Sequence, residues 1–110
     1  MPARPVDGNW YAMKNQKASN KKQAAQSVAA FTDIGWEDYQ YWQTENPKLA
    51  QKINLLIDAC LSAPYSGIGK PEPLKGNLTG LWSRRIDLTH RLVYAYVDGV
   101  LNIVACRYHY

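Results

Sequence analysis

A stretch rich in glycine and proline divides this sequence into two halves with different hydrophobic periods. Residues 64–80 read PYSGIGKPEPLKGNLTG and contain four glycines and three prolines, which interrupt helices and strands alike. Before this stretch, apolar residues recur at spacings of three and four, as they do on one face of a helix. After it, they form short runs with the composition of strands. The sequence therefore predicts an α+β domain in which a long loop joins the two halves.

The helical half contains two segments that meet at Asn46 and Pro47. WEDYQYWQTEN spaces its aromatic residues three apart, and PKLAQKINLLIDACL follows the i, i+3, i+4 rule. Asparagine is a favoured helix N-cap, and proline is favoured at the first helical position. We predict a helical hairpin whose apolar stripes belong to the core, with Pro64 ending the second helix.

Four segments have the composition of strands. SVAAFT, at residues 27–32, precedes the helices as a candidate short strand. The other three are LWSRRID, HRLVYAYV and VLNIVAC, at residues 81–87, 90–97 and 100–106. The Asp98-Gly99 pair between the last two is a strong hairpin-turn signal. The predicted fold is two N-terminal helices packed on a small, largely antiparallel sheet.

Charge is distributed unevenly along the chain, whose 110 residues suffice for one domain with a net charge of +4. Residues 31–63 carry two bases and five acids, whereas residues 64–110 carry six bases and three acids. A basic surface on an acidic support favours a phosphate-bearing partner, although a merely soluble basic protein is the alternative. Residues 1–26 are polar and basic and are predicted to be a flexible extension of a domain at 27–110. Whether Met13 or a later residue is the native start stays open.

Several classes of protein are excluded or disfavoured by what the sequence lacks. No apolar run approaches the roughly 18 residues that span a membrane, and no signal peptide is evident, so we expect a cytoplasmic protein. Cys60 and Cys106 have no zinc-binding spacing and are predicted to be reduced, partly buried thiols. With only two histidines, a histidine-based metal site is disfavoured, and no cofactor is predicted.

Glu72, in the long loop, is a candidate general base. It lies between Pro71 and Pro73, which hold the backbone on both sides in a stiff, extended form. A carboxylate held in this way can be kept within hydrogen-bond distance of a substrate proton. Lys70 and Lys75 add positive charge on either side. The alternative is a solvated glutamate in a surface loop.

Arginines in the predicted strands are candidates for binding a ligand. Arg84 and Arg85 are neighbours, so a strand points them to opposite faces, and one of them should face solvent or a ligand. Arg91 lies at the end of a strand from which it can reach a site at the sheet edge, with an ordinary salt bridge as the alternative. The same alternation turns His90 away from Arg91.

The last predicted strand is followed directly by four residues whose side chains can bind a ligand or transfer a proton: Arg107, Tyr108, His109 and Tyr110. If the strand persists, alternation puts Arg107 and His109 on one side and the two tyrosines on the other. Histidine has an ordinary pKa of about 6.5, close to neutrality, which suits a group that transfers protons. A solvated or structural histidine is the alternative.

Together these groups match metal-independent RNA cleavage. A base removes the proton of a 2′-hydroxyl, this oxygen attacks the adjacent phosphorus, and an acid protonates the departing 5′-oxygen, while cations offset the phosphoryl charge. Glu72 can be the base and His109 the acid. Three cations can bind the phosphate: Arg91, Lys75 and Arg85. Two phenols, Tyr108 and Tyr110, can stack on bases.

Residues 31–110 resemble the YoeB branch of the RelE superfamily, which comprises toxins of bacterial toxin–antitoxin pairs. The motifs that carry the resemblance are WEDYQYWQ, GKPEPLK, LWSRRI, HRLVYAY and the terminal ACRYHY. It implies a fold similar to microbial ribonucleases and cleavage of messenger RNA in the ribosomal A site. It also implies a YefM-type antitoxin as partner and a homodimer.

Carried over by position, the resemblance implies the same roles as the residue chemistry. Glu72 corresponds to the general base and His109 to the general acid. The phosphate-stabilising arginine corresponds to Arg91 and the terminal tyrosine to Tyr110. Lys75 and Arg85 match basic positions of the substrate groove. The predicted catalytic residues are therefore Glu72, Arg91, His109 and Tyr110, and the predicted substrate-binding residues are Lys75, Arg85 and Tyr108.

Two rival hypotheses accompany this one. A module that binds RNA or the ribosome and blocks translation without cutting needs only the basic face and the aromatics, and a carboxylate at Glu72 would repel its ligand. A pair formed by His90 and His109 is disfavoured because His90 points away from Arg91. On that reasoning, His90→Ala should keep most activity.

Overall fold

The computed structural model describes residues 28–108. The predicted extension at residues 1–26 lies outside the described part of the chain, as do His109 and Tyr110. The described elements, in chain order, are β1 (Val28–Phe31), α1 (Asp33–Glu45), α2 (Pro47–Ser62), β2 (Glu72–Pro73), a 3-10 turn (Gly76–Leu78), β3 (Trp82–Arg85), β4 (Arg91–Val97) and β5 (Val100–Ala105).

The helical hairpin is confirmed, with its ends set by local capping. The Thr32 side chain accepts a hydrogen bond from the backbone N–H of Gly35 at 3.0 Å and caps α1. Asn46 ends α1 and caps α2, where its side chain accepts from the N–H of Leu49 at 3.2 Å. The second helix ends at Ser62 because the following residue precedes Pro64 and adopts an extended backbone.

The sheet has five strands in the order β1-β5-β4-β3-β2. The pairs β5-β4, β4-β3 and β3-β2 are antiparallel, whereas β1 pairs with β5 in parallel. The candidate strand at residues 27–32 is present as β1, so the description of the fold as two N-terminal helices packed on the sheet is inexact, because one strand precedes both helices. A parallel pair needs a crossover connection, and the chain between β1 and β5 contains both helices and the strands β2 to β4.

Two local predictions about backbone conformation are also settled. Asp98 and Gly99 both have positive φ angles, 50° and 78°, as a two-residue hairpin turn between Val97 and Val100 requires. The stretch 64–80 was predicted to be a loop, yet Glu72 and Pro73 in it pair with β3 as a short edge strand. The extended backbone expected beside two prolines is what makes this pairing available.

One face of the sheet packs against the helices and forms the core. Gly35 lets α1 approach β5, because a Cβ at this position would collide with the carbonyl oxygen of Ile103. Cys60 and Cys106 are both fully buried in this core, as free thiols. Burial raises the pKa of the Cys60 thiol to about 11 and raises that of Cys106 as well. Within residues 28–108, neither helix has the length and apolar character needed to cross a membrane.

Candidate active site

The strand register brings Glu72, Arg85 and Arg91 to the same face of the sheet. Glu72 is paired with Ser83 on β3, and Arg85, two residues further along β3, is paired with Arg91 on β4. Directly paired residues share a face, as do residues two apart on one strand. The predicted base and two of the predicted phosphate ligands therefore share one surface.

This surface lies on the face of the sheet that does not pack on the helices, called the uncovered face below, although Ser83 and Val93 at its centre are buried. On the opposite face, Arg84 pairs with Leu92, and Leu92 belongs to the fully buried core. Glu72 and Arg85 are exposed, and Arg91 is half-buried. Ordinary strand spacings put the Cα of Glu72 about 8 Å from that of Arg85 and about 12 Å from that of Arg91. Side chains of this length can converge on one phosphodiester placed between them.

The Arg91 guanidinium is held by backbone carbonyls. Its Nη1 donates to the carbonyl oxygen of Asp87 at 2.9 Å and to that of His90 at 3.1 Å. A guanidinium has five N–H donors, and among residues 28–108 Nε and Nη2 of Arg91 have no hydrogen-bond partner. Both hydrogen bonds go to backbone carbonyl oxygens, and the Asp87 carboxyl also interacts electrostatically with Arg91. The side chain is oriented by the turn before β4 and keeps donors for an anion.

Lys75 lies in the turn that joins β2 to β3. It is exposed, its backbone is extended, and its carbonyl oxygen accepts from the N–H of Leu78 in the 3-10 turn. The lysine is three residues from Glu72 along the same short segment. Among the described residues, no group of three or more His, Cys, Asp and Glu side chains is arranged to hold a metal ion.

Arg84 is a central residue whose role sequence reasoning missed. It is fully buried, its Nε donates to the Tyr94 hydroxyl at 3.2 Å, and its Nη1 and Nη2 donate to carbonyl oxygens of the loop. Nη1 donates to Ile68 at 3.0 Å, and Nη2 donates to Ala63 at 2.5 Å and to Ser66 at 2.8 Å. The arginine thus fastens the segment that leads into β2 and Glu72. Alternation in a strand predicts that one of two adjacent arginines faces the core, but it does not say which one.

Two further contacts make this loop rigid. The Tyr94 hydroxyl donates to the carbonyl oxygen of Pro64 at 2.6 Å, and burial raises the pKa of this phenol to about 12, although the hydrogen bond from Arg84 acts in the opposite direction. Gly69, with φ of 83°, passes so close that a Cβ would lie 3.0 Å from the Cβ of Arg84. The long loop is a fixed support for the glutamate.

The last strand does not persist into the tail, so the condition for alternating side chains at residues 107–110 is not met. β5 ends at Ala105, and helix α1 binds the next residue through both backbone groups. The Cys106 N–H donates to Asp38 Oδ2 at 3.0 Å, and Trp42 Nε1 donates to the Cys106 carbonyl oxygen at 2.8 Å. Burial raises the pKa of the Asp38 carboxyl, an effect that the Cys106 N–H partly offsets. Tyr108 has a left-handed φ of 64°, which breaks the strand alternation.

Tyr108 lies beside the start of β4. Its carbonyl oxygen accepts from the Arg91 N–H at 3.1 Å, and its own N–H donates to His90 Nδ1 at 2.7 Å. The guanidinium of Arg107 lies 3.6 Å from the centroid of the Tyr41 ring and 4.8 Å from that of Tyr108. The tail therefore reaches Arg91 through its backbone. His109, the predicted acid, is the next residue in the sequence.

His90 has a partner that alternation did not predict. Its ring packs at a centroid distance of 4.8 Å against Trp42, on the side of the sheet that carries the helices. The prediction that His90 points away from Arg91 came from alternation along residues 90–97, and the packing on Trp42 agrees with it. Because the tail bends at Tyr108, it comes to His90, a long-range contact that no local pattern signals.

Comparison with known proteins gives consistent matches over this domain. Residues 31–110 match the family described as YoeB-like toxin of bacterial type II toxin-antitoxin system. Toxin YoeB of Synechocystis is 56% identical over 81 residues, which cover 74% of this chain and 94% of that protein.

Two solved structures of YoeB toxins also match this chain. The YoeB–YefM complex from Staphylococcus aureus matches with a TM-score of 0.71 and 47% identity, covering 74% of this chain and 95% of the matched chain. A YoeB dimer from the same organism matches with a TM-score of 0.70 and 46% identity, with the same coverage.

Proposed function

The chain belongs to the YoeB-like toxins of bacterial type II toxin–antitoxin systems, and from this we propose that it is an endoribonuclease. Its substrate is messenger RNA in the ribosomal A site, and its effect is to inhibit translation. The observation that most supports this is the register that puts Glu72 on one exposed face with Arg85 and Arg91. A carboxylate between cations weakens the binding of a phosphate, so its presence favours acid–base chemistry over binding alone.

In the proposed mechanism, Glu72 removes the proton of a 2′-hydroxyl, and that oxygen attacks the adjacent phosphorus. The bond from phosphorus to the 5′-oxygen breaks, and His109 gives this oxygen a proton. Arg91, supported by Lys75 and Arg85, stabilises the negative charge on the phosphoryl oxygens. The upstream product ends in a 2′,3′-cyclic phosphate, and the scheme uses no metal or cofactor. Bases on either side stack on two phenols, Tyr108 and Tyr110.

The partners follow from the same proposal. Three cations form a small surface for RNA, so a message already oriented by the ribosome should be a better substrate than free RNA. We expect the chain to act in the cytoplasm, where ribosomes are. A relative was solved with YefM and as a dimer, so a YefM-type antitoxin and a homodimer are the expected assemblies. We assign this activity to residues 27–110 and treat residues 1–26 as a separate basic extension.

The test is a cleavage assay with the purified chain, ribosomes and a defined message. Cleavage sites are mapped by primer extension, a reaction without ribosomes is the control, and the ends of the products are analysed. We expect rapid cleavage only with ribosomes, leaving a 2′,3′-cyclic phosphate or a 3′-phosphate on the upstream fragment. Equal rates with and without ribosomes would contradict the ribosome dependence. Intact message on stalled ribosomes would instead support a non-cleaving module.

A further inference from the structure

His90 holds the backbone of the tail through a hydrogen bond that its side chain accepts. The Tyr108 N–H donates to Nδ1 of His90 at a distance of 2.7 Å. The imidazole has a fixed place because its ring packs edge to face on Trp42. Its backbone is fixed as well, since the His90 N–H donates to Asp87 Oδ1 at 2.6 Å. A rigid acceptor is thus aimed at the tail.

The backbone at Tyr108 needs such support. A non-glycine residue at φ of 64° is disfavoured and persists where its surroundings hold it in place. Two described contacts hold Tyr108 by its backbone, the acceptor of His90 on its N–H and the Arg91 N–H on its carbonyl oxygen. Loss of either contact frees the bend that comes immediately before His109.

We propose that His90 is a positioning residue for the reaction. Its Nδ1 restrains the backbone of Tyr108, the residue immediately before the proposed acid His109, and this restraint is what the acid needs in order to act from a defined backbone. The inference rests on the proposed function, in which His109 is the acid. His90 itself touches no RNA in this scheme. The inference reverses the sequence-based expectation that His90→Ala keeps most activity.

Two variants separate the hydrogen bond from the packing. His90→Asn keeps an acceptor at the position of Nδ1, because its side-chain oxygen is the same number of bonds from the backbone, but it lacks the ring. His90→Phe keeps a ring against Trp42 but has no acceptor. Thr89→Ala is the matched control, since Thr89 is exposed in the same turn and keeps its own backbone N–H. Should His90→Phe fail to fold, His90→Ala replaces it.

Ribosome-dependent cleavage is measured as kcat and KM for each variant. We expect kcat of His90→Phe to fall roughly ten- to a hundredfold, since a misplacement of about 1 Å can have an effect of this size. KM should change less than kcat, because His90 itself touches no RNA and only the stacking by the tail tyrosines is loosened. His90→Asn should recover most of the rate, and Thr89→Ala should match the wild type. A wild-type kcat for His90→Phe, or equal losses in His90→Phe and His90→Asn, would overturn the inference.

A second readout does not depend on cleavage. Amide hydrogen exchange at Tyr108, followed by NMR, reports its N–H directly. Exchange should be slow in the wild type and in His90→Asn and faster in His90→Phe, while core amides of β4 stay protected in all three. Equal exchange at Tyr108 in the wild type and His90→Phe would refute the anchor. If the wild type failed to cut messenger RNA, the proposed function would fall while this measurement still decided whether His90 holds the tail.

Discussion

Arg84 and Arg85 are adjacent, chemically identical and placed in opposite surroundings. Arg84 is fully buried and donates to a phenol and three loop carbonyls. Arg85 is exposed on the uncovered face, where it pairs across the strands with Arg91. The difference shows that strand parity, rather than residue type, decides whether a cation organises the fold or remains available to a ligand. In the same way, the face of the sheet toward the helices carries contacts that stabilise the fold, and the uncovered face carries the candidate ligand-binding groups.

Deletion of His109 and Tyr110 should have the largest effect on activity and little effect on stability. The proposed acid is lost, so ribosome-dependent cleavage should fall roughly 10²- to 10⁴-fold, the size of a general acid–base contribution. Growth arrest should be lost with it. Thermal melting should stay close to the wild type, because Cys106 and the preceding strand carry the core contacts. A truncated chain that melts normally and still cuts at the full rate would remove His109 from the mechanism.

Arg84→Met should have the largest effect on stability. It leaves three loop carbonyls without their donor, and each such loss costs about 1–3 kcal/mol, so the free energy of unfolding should fall by about 3 kcal/mol or more. Urea unfolding measures this change. Arg85→Met is the matched control and should change stability by less than about 0.5 kcal/mol. Similar decreases in the free energy of unfolding for the two variants would contradict the proposed difference between the two faces.

Glu72→Gln tests the uncovered face without changing its shape. The cleavage rate should fall on the order of a hundredfold, as expected for loss of a general base. Binding to ribosomes should hold or improve, because a charge that repels phosphate is gone. Glu45→Gln, an exposed position at the end of α1, serves as the control. Weaker binding with an unchanged single-turnover rate would mean that Glu72 only positions the substrate.

Arg85→Ala should have the smallest effect of the four. One charge-assisted contact to phosphate is lost, which corresponds to about a tenfold decrease in kcat/KM. Lys48→Ala removes an exposed cation from α2 and should leave kcat/KM unchanged. An equal decrease in both variants would show that overall charge, rather than the uncovered face, attracts the RNA.

The features predicted correctly from the sequence are those that depend on neighbouring residues. Asn46 and Pro47 specify a helix start by their own hydrogen bonding and geometry, and Asp98-Gly99 specifies a turn by tolerating positive φ. The extended backbone at Glu72 follows from the two prolines beside it. Each of these signals acts over a few residues, so no knowledge of the folded partner is needed.

The features that were missed depend on contacts between distant segments. Alternation separates Arg84 from Arg85 but cannot say which one faces the core, because that depends on where the helices pack. The bend at Tyr108 depends on an acceptor from His90, 18 positions earlier in the chain. The parallel partner of β1 was likewise set by tertiary packing. For the site, the roles of the candidate groups stay predictions, and the contacts that orient them were not foreseen from the sequence.

The pairing of β1 with β5 has a consequence for the timing of synthesis. Val28 is paired with Val100, and β5 is inserted between β1 and β4. Such long-range closure is slow compared with local contacts, and translation supplies β1, both helices and β2 to β4 before β5 emerges. The strands β2 to β4, which carry Glu72 and Arg91, can pair with one another before β5 emerges. However, β1 joins the sheet only through β5, so the five-stranded sheet is completed only after β5 has been made. If the proposed activity holds, a nascent copy is harmless to the message that encodes it for most of its own translation.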